Sequence, residues 1–228
     1  MKVKKIMVFE HVKIDLGYQD LVAETTKSGR KYIDPDGNSY PSITTVLSIL
    51  SEEAIQAWRA RVGEEEANKI SHKASTRGTA VHTIIEDYLN GKDTTKHLPH
   101  IKQSLANVRP ILDGRIGKIY GIETPLYSKH LGLAGRCDCV ADFDGVPSIV
   151  DWKTSKRVKK KEDISNYFAQ MAAYAIMWEE RTGIPITNTV VVMDVDDNEP
   201  LVFKEHRDNW TELLFDTIQK YKRRQMFK

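Results

Sequence analysis

The chain has 228 residues, 40% of them hydrophobic and 29% charged, with a net charge of +2. That length buries one substantial core, and the composition excludes a disordered or fibrous protein. The near-neutral average does not exclude a nucleic-acid partner, because it can conceal separated basic and acidic zones.

Residues 1–40 mix short apolar runs with the turn signal Asp34-Pro-Asp-Gly-Asn38, which predicts a small hairpin appended to the core. Pro41-Ser42 then opens a helix, with Ser42 or Thr44 as its N-cap, and the pattern stays largely helical to Asn90. Glu64, Glu65, Glu66 and Lys69 read as a solvated helix face. Over residues 77–89, Val81, Ile84, Ile85 and Tyr88 recur at helical spacing, and Asn90-Gly91 ends that buried helix. Residues 133–143 alternate, Asp144-Gly145 makes a turn, and residues 148–153 form a second strand, so a hairpin is expected. Cys137 and Cys139, at i and i+2 of its first strand, should point alike and are poorly placed to bridge each other, which suits a reducing compartment. A basic run, Lys156, Arg157, Lys159, Lys160 and Lys161, leads to an apolar helix over 167–178 that stops near Gly183-Ile-Pro185. Two further strands (189–195 and 201–204) and a closing amphipathic helix (211–224) complete one domain. Within it, residues 1–75 are expected as a hairpin and helical extension and 76–228 as the core. No secretory segment or long apolar run is present, so no membrane is expected.

Chemistry concentrates in the hairpin. With Asp144 and Gly145 as the central turn residues, the register sets Asp138 opposite Asp151, and two opposed carboxylates repel unless a cation or a proton intervenes. A hard divalent ion is the simplest remedy. Lys153, two residues beyond Asp151, projects from the same face. A metal-bound water and an ammonium together suit phosphodiester hydrolysis. The plainer alternative is a surface salt-bridge cluster, since D-x-K is a common triplet of mostly exposed residue types. His82 and Glu86 share a helix face, as do Gln170 and Tyr174. Each of these pairs could equally be packed or satisfied polar residues.

Four motifs occur in order: Arg77-Gly-Thr-Ala-Val-His82 with Glu86, Gly135-Arg-Cys-Asp138, Ile149-Val-Asp-Trp-Lys-Thr-Ser155, and Gln170-Met-Ala-Ala-Tyr174. Together, over residues 77–174, they resemble the RecB-like branch of the PD-(D/E)XK nucleases. Mitochondrial genome maintenance exonucleases and phage-encoded exonucleases of that branch also show a segment like Pro41-Ser-Ile-Thr-Thr-Val-Leu47. The resemblance implies an α/β, restriction-endonuclease-like core of a mixed β-sheet flanked by helices, with an N-terminal helical gate or arch. It implies Asp138 and Asp151 as ligands of Mg²⁺ or Mn²⁺, with His82 and the Trp152 backbone carbonyl as further candidates, and Lys153 as the residue that positions or activates water. Glu123, at the start of the segment before the hairpin, is a further candidate metal or supporting carboxylate, or else a plain strand-end charge. Asp151 stands where the family often has glutamate, and either carboxylate serves.

By the same resemblance Gln170 and Tyr174 contact substrate or support Lys153. Arg77 and Glu86 are candidate substrate contacts. Thr154 and Ser155 could bond phosphate or simply cap the strand end, and Lys156, Arg157, Lys159 and Lys160 could follow a phosphate backbone or form a solvated loop. Trp58, Arg59 and Arg61 fall in the region that arches over single strands in related exonucleases, although Trp58 could equally be core. Relatives with an iron–sulfur cluster hold it with four cysteines, so two exclude that site here. The implied activity is a DNA exonuclease acting on single strands or ends in replication, recombination or repair, beside proteins of those processes. A cytoplasmic setting in a bacterial or phage-infected cell goes with it. A structure-specific endonuclease and an inactive DNA-binding protein are the rival readings.

Overall fold

The computed structural model describes residues 9–26 and 28–227, so residues 1–8 of the expected N-terminal hairpin lie outside the described residues. Three short strands, β1 (Val22–Thr26), β2 (Gly29–Ile33) and β3 (Ser39–Pro41), pair antiparallel in that order. The predicted turn joins β2 to β3. Asp34 Oδ1 accepts the backbone N–H groups of Asp36 and Asn38, a side chain standing in for a ladder partner. Ser42 caps α1 (Ile43–Leu47), its hydroxyl accepting from the Thr45 N–H.

Helices α2 (Glu52–Val62) and α3 (Glu64–Leu89) follow. α2 buries no residue and α3 buries only Ala67 before Val81, so the Glu64–Glu66 face is solvated as expected and Trp58 is not core. The expected boundary between residues 75 and 76 falls inside α3, which runs through it unbroken. Next come α4 (Pro99–Arg115) and β4 (Ile116–Ser128), neither of which the sequence reading identified. Pro110 lies inside α4, where proline costs about 3 kcal/mol, and Gly117, Gly121 and Pro125 interrupt β4. Tertiary packing outweighs the penalty in α4, because Ile101, Leu105, Val108 and Leu112 all enter the core. β4 tolerates its proline as the edge strand of the main sheet. Part of its outer edge is covered by residues 10–12, Val12 N–H donating to Ile119 and Ile119 N–H to Glu10, both at 2.8 Å.

β5 (Leu133–Phe143) and β6 (Val146–Ser155) form the predicted hairpin, and both turn residues take positive φ, Asp144 at 53° and Gly145 at 78°. α5 (Ser165–Thr182) crosses over to β7 (Asn188–Val195), which is parallel to β6. β8 (Leu201–His206) pairs antiparallel with β7, and α6 (Thr211–Met226) closes the chain. The sheet order is β4-β5-β6-β7-β8. Helices α1, α5 and α6 bury one face and α3 and α4 the other, giving the expected mixed sheet between helices.

The cysteines depart from expectation. Cys137 enters the core beneath α5, whereas Cys139 enters the core beneath α3 and α4. On β4, Leu126 and Ile122 divide in the same way. Both strands therefore invert their alternation at one level, that of Glu123 and Asp138, where the β4–β5 ladder skips a pair. The β5–β6 ladder also ends there. It keeps the predicted register down to Cys139 opposite Val150 and stops one step before Asp138 would meet Asp151. In place of a ladder bond, the Trp152 N–H donates to Asp138 Oδ2 at 2.9 Å.

Gly135 sets how closely α5 and β5 approach: a Cβ there would lie 2.7 Å from the Tyr174 hydroxyl and 2.8 Å from its ring. Gly135→Ala is expected to destabilise the fold by about 1–3 kcal/mol through overpacking, read as a lower urea midpoint at unchanged slope. An unchanged midpoint would mean that this contact has slack.

Candidate active site

A cleft of about 630 Å³ opens between the small N-terminal sheet, the start of α1, the middle of α3, and β5 with α5 behind it. Arg30 and Tyr32 reach it from β2, Ser42 and Thr44 from α1, and Thr79 and Thr83 from α3. His82, Glu123 and Asp138 converge in it, each offering a ligand atom within 4.8 Å of the others. The strand inversion accounts for two of these, since Glu123 and Asp138 sit where β4 and β5 switch faces. His82 comes from the buried stretch of α3, its Nδ1 3.4 Å from Asp138 Oδ2.

Beside this trio Lys153 meets Asp151 Oδ2 at 2.5 Å, and Gln170 donates to Asp151 Oδ1 at 3.4 Å. The ammonium also lies 5.0 Å from the centre of the Tyr167 ring. Asp151 is 2% exposed and lies beneath the cleft wall, so here it holds the lysine rather than joining the convergent trio.

The acids are held in different states. Burial works against charge on Asp138, but His82, Lys153 and the Trp152 N–H outweigh it and keep its carboxyl below the usual range. Burial drives Asp151 up to about 6, with the charge of Asp138 adding to it against the pull of Lys153. Burial and then the Asp138 charge push Glu123 up to about 7. Lys153 is raised although burial opposes it, because Asp151 and Asp138 favour the ammonium. Two carboxylates and an imidazole nitrogen at this spacing, with one acid pushed towards neutrality by burial and then by the other's charge, suit a divalent cation.

Several expected residues thus meet: His82, Glu86, Glu123, Asp138, Lys153, Gln170 and Tyr174 line the cleft, with Asp151 behind them. Glu123 stands inside β4 rather than at the start of a segment. Others go elsewhere. Arg77 does not reach the cleft: it pairs with Asp194 at 2.9 Å and with Asp196, at and beyond the end of β7. Thr154 faces α3, its hydroxyl 4.0 Å from where a Cβ on Gly78 would sit, and Ser155 closes a turn by donating to the Arg157 carbonyl. Lys156, Arg157 and Lys160 are exposed and Lys159 half-buried on the loop after β6. Trp152 contributes its N–H to Asp138. Glu86 lies 3.8 Å from the Lys92 ammonium. Sequence reasoning missed Tyr167, though it stands three residues before Gln170 on one helix face, Arg136, though it lies within the Gly135–Asp138 motif, and Arg30, which carries no motif signal.

Residues 112–226, half of the chain, match the PD-(D/E)XK nuclease superfamily. The chain belongs to that superfamily. The match covers Glu123, Asp138, Asp151 and Lys153 and leaves His82 outside it. The nuclease is 26% identical over 133 residues to mitochondrial genome maintenance exonuclease 1 of Homo sapiens, covering 54% of this chain and 38% of that protein. To the Xenopus tropicalis protein of the same name it is 27% identical over 173 residues, covering 70% and 50%. It therefore spans half or less of the length of these relatives. A solved Eubacterium rectale protein superposes with a TM-score of 0.45 at 15% identity, over 66% of this chain and 65% of its own. PD-(D/E)XK nucleases use divalent metals, and the trio is this chain's candidate site. Among the described residues no helix is long and apolar enough to cross a membrane. The expected bacterial or phage setting gains no support from these relatives, which are animal proteins with mitochondrial names.

Without metal, Glu123 should weaken the fold at high pH. Its folded pKa, about 7, exceeds the ordinary 4.5, so its favourable contribution is complete below pH 4.5 and is lost as the pH rises through 7. In EDTA at pH 8, Glu123→Gln should therefore raise Tm by a few degrees. That corresponds to about 1–2 kcal/mol once solvent screening is allowed for. The gain should vanish at pH 4.5, and an equal gain at both pH values would remove the electrostatic explanation.

Proposed function

We propose that this nuclease is a Mg²⁺- or Mn²⁺-dependent DNA exonuclease that acts on single strands or strand ends in replication, recombination or repair. The observation that carries the reading is the Asp151–Lys153 ion pair, which presents Lys153 to the cleft where His82, Glu123 and Asp138 converge. A pure DNA-binding surface has no need of that pairing. The relatives' names support exonuclease action, and the small sheet and α1, which wall the cleft, suit a gate over a strand.

In this reading His82, Glu123 and Asp138 hold the ion, which when bound lowers the pKa of a water and offsets charge on a phosphoryl oxygen. Asp151, steadied by Gln170, fixes the Lys153 ammonium. Because two carboxylates favour its charged form, Lys153 donates hydrogen bonds to water or phosphate rather than taking a proton. Tyr174 sets the spacing of α5 against β5 at Gly135. Arg30 and the hydroxyls of Thr44, Thr79 and Thr83 offer phosphate contacts, and Lys156, Arg157, Lys159 and Lys160 extend the path of the backbone.

The test is degradation of end-labelled linear and circular single-stranded DNA in Mg²⁺, Mn²⁺ or EDTA. Wild type should degrade the linear strand only with metal and spare the circle. Lys153→Ala and Asp138→Ala should each lose at least about 100-fold in rate while remaining folded. Prompt cutting of the circle would favour a structure-specific endonuclease using the same site. Metal-independent cleavage, or full activity in both variants, would remove this site from the chemistry.

A further inference from the structure

Glu123 is not a glycine, yet its φ is 48°, in the left-handed region that L side chains rarely adopt. It also lacks the ladder partner that β5 supplies to Ile122 and Thr124 on either side. Something else must hold this peptide. Arg136, on β5 two residues before Asp138, donates from Nη1 to the Glu123 carbonyl at 2.8 Å. Its other terminal nitrogen, Nη2, donates to Asp20 Oδ1 at 2.5 Å. One rigid guanidinium thus ties a carboxylate in the segment before β1 to the kinked residue of β4.

We infer that Arg136 is a positioning residue: held by Asp20, it fixes Glu123 in the left-handed conformation that brings its carboxylate to His82 and Asp138. The inference rests on the reading of that trio as the metal site. It makes the third ligand conditional on a contact from the N-terminal segment, so cleft wall and metal site are built together. Arg136 also lines the cleft, and the competing role is direct contact with a substrate phosphate. The two roles separate without DNA, because a phosphate contact leaves metal binding alone and a positioning residue does not.

The experiment is Mn²⁺ binding by isothermal titration calorimetry in the absence of nucleic acid, with folding checked by circular dichroism. Arg136→Met keeps the aliphatic stem and removes the donors. It should weaken Mn²⁺ binding at least about 10-fold, the usual scale for a group that orients a ligand. Combined with Glu123→Gln it should add less than about 2-fold to the loss from Glu123→Gln alone, because the two act through one carboxylate. Asp20→Asn, at an exposed position, should weaken binding in the same direction by a smaller factor. Wild-type affinity in Arg136→Met, or fully additive losses in the double variant, would overturn the inference. If Arg136→Met does not fold, Asp20→Asn decides, and wild-type affinity there overturns it as well. Should Glu123→Gln and Asp138→Asn both bind Mn²⁺ like wild type, the metal reading itself fails, an outcome distinct from failure at Arg136 alone.

Discussion

Where β5 leaves β6, a backbone donor that belongs to the ladder is given to a side chain. The Trp152 N–H donates to Asp138 Oδ2, and pairing between the two strands ends one residue earlier, at Cys139 and Val150. A buried N–H without a partner costs about 1–3 kcal/mol, so the strands can part here only because a carboxylate meets the orphaned donor. β6 stays rigid through the separation, because its other edge remains paired with β7 as far as Ser155. Lys153 is thus carried on a fixed strand while Asp138 stands in the opening wedge. The wedge is what admits His82 from α3, and every other feature of the site is arranged around it.

α3 must also be held against the sheet at that place, and Arg77 does this. It spans from the turn before His82 to Asp194 and Asp196, and Asn107 of α4 donates to the same Asp194 at 3.1 Å. Asp194 is the register partner of Thr154, which faces α3 close to Gly78. A small residue on the helix, a hydroxyl on one strand and an ion pair on the next therefore fix the height of α3. The motif arginine expected as a substrate contact is engaged here in ion pairs to Asp194 and Asp196, on the stretch of α3 just before His82. The price of the arrangement is electrostatic: one acid is held ionised by its neighbours while Asp151 and Glu123 are pushed up to about 6 and about 7.

Much of this was legible because it is local. The hairpin register follows from two turn residues, the Ser42 cap from one hydroxyl before an apolar run, and the acids and lysine from their spacing along two strands. What escaped depends on partners far away in sequence. Arg77 and Asp194 lie 117 residues apart, and nothing near either announces the other. α4 was hidden by Pro110, a strong local signal overruled by four apolar side chains that find a core. Cys137 and Cys139 were expected to point alike because alternation was assumed to be unbroken. The inversion arises from β4 and β5 kinking together, and neither strand's own sequence specifies it.

On the proposed reading, a chain of net charge only +2 has to engage a polyanion. Many of its cations are spent on structure: Arg115 and Lys204 both meet Asp144, Lys161 meets Glu205, and Arg207 meets Glu179. At the cleft, Arg30, Arg136 and Lys153 face Glu86, Glu123 and Asp138, so the lining is nearly balanced. With a screening length of about 8 Å at physiological salt, little long-range attraction remains. On the proposed reading, recognition of a phosphate would come from short-range contacts inside the cleft, strengthened when a divalent ion offsets the acids. On that same reading, metal occupancy and substrate binding would be coupled by charge before any chemistry takes place.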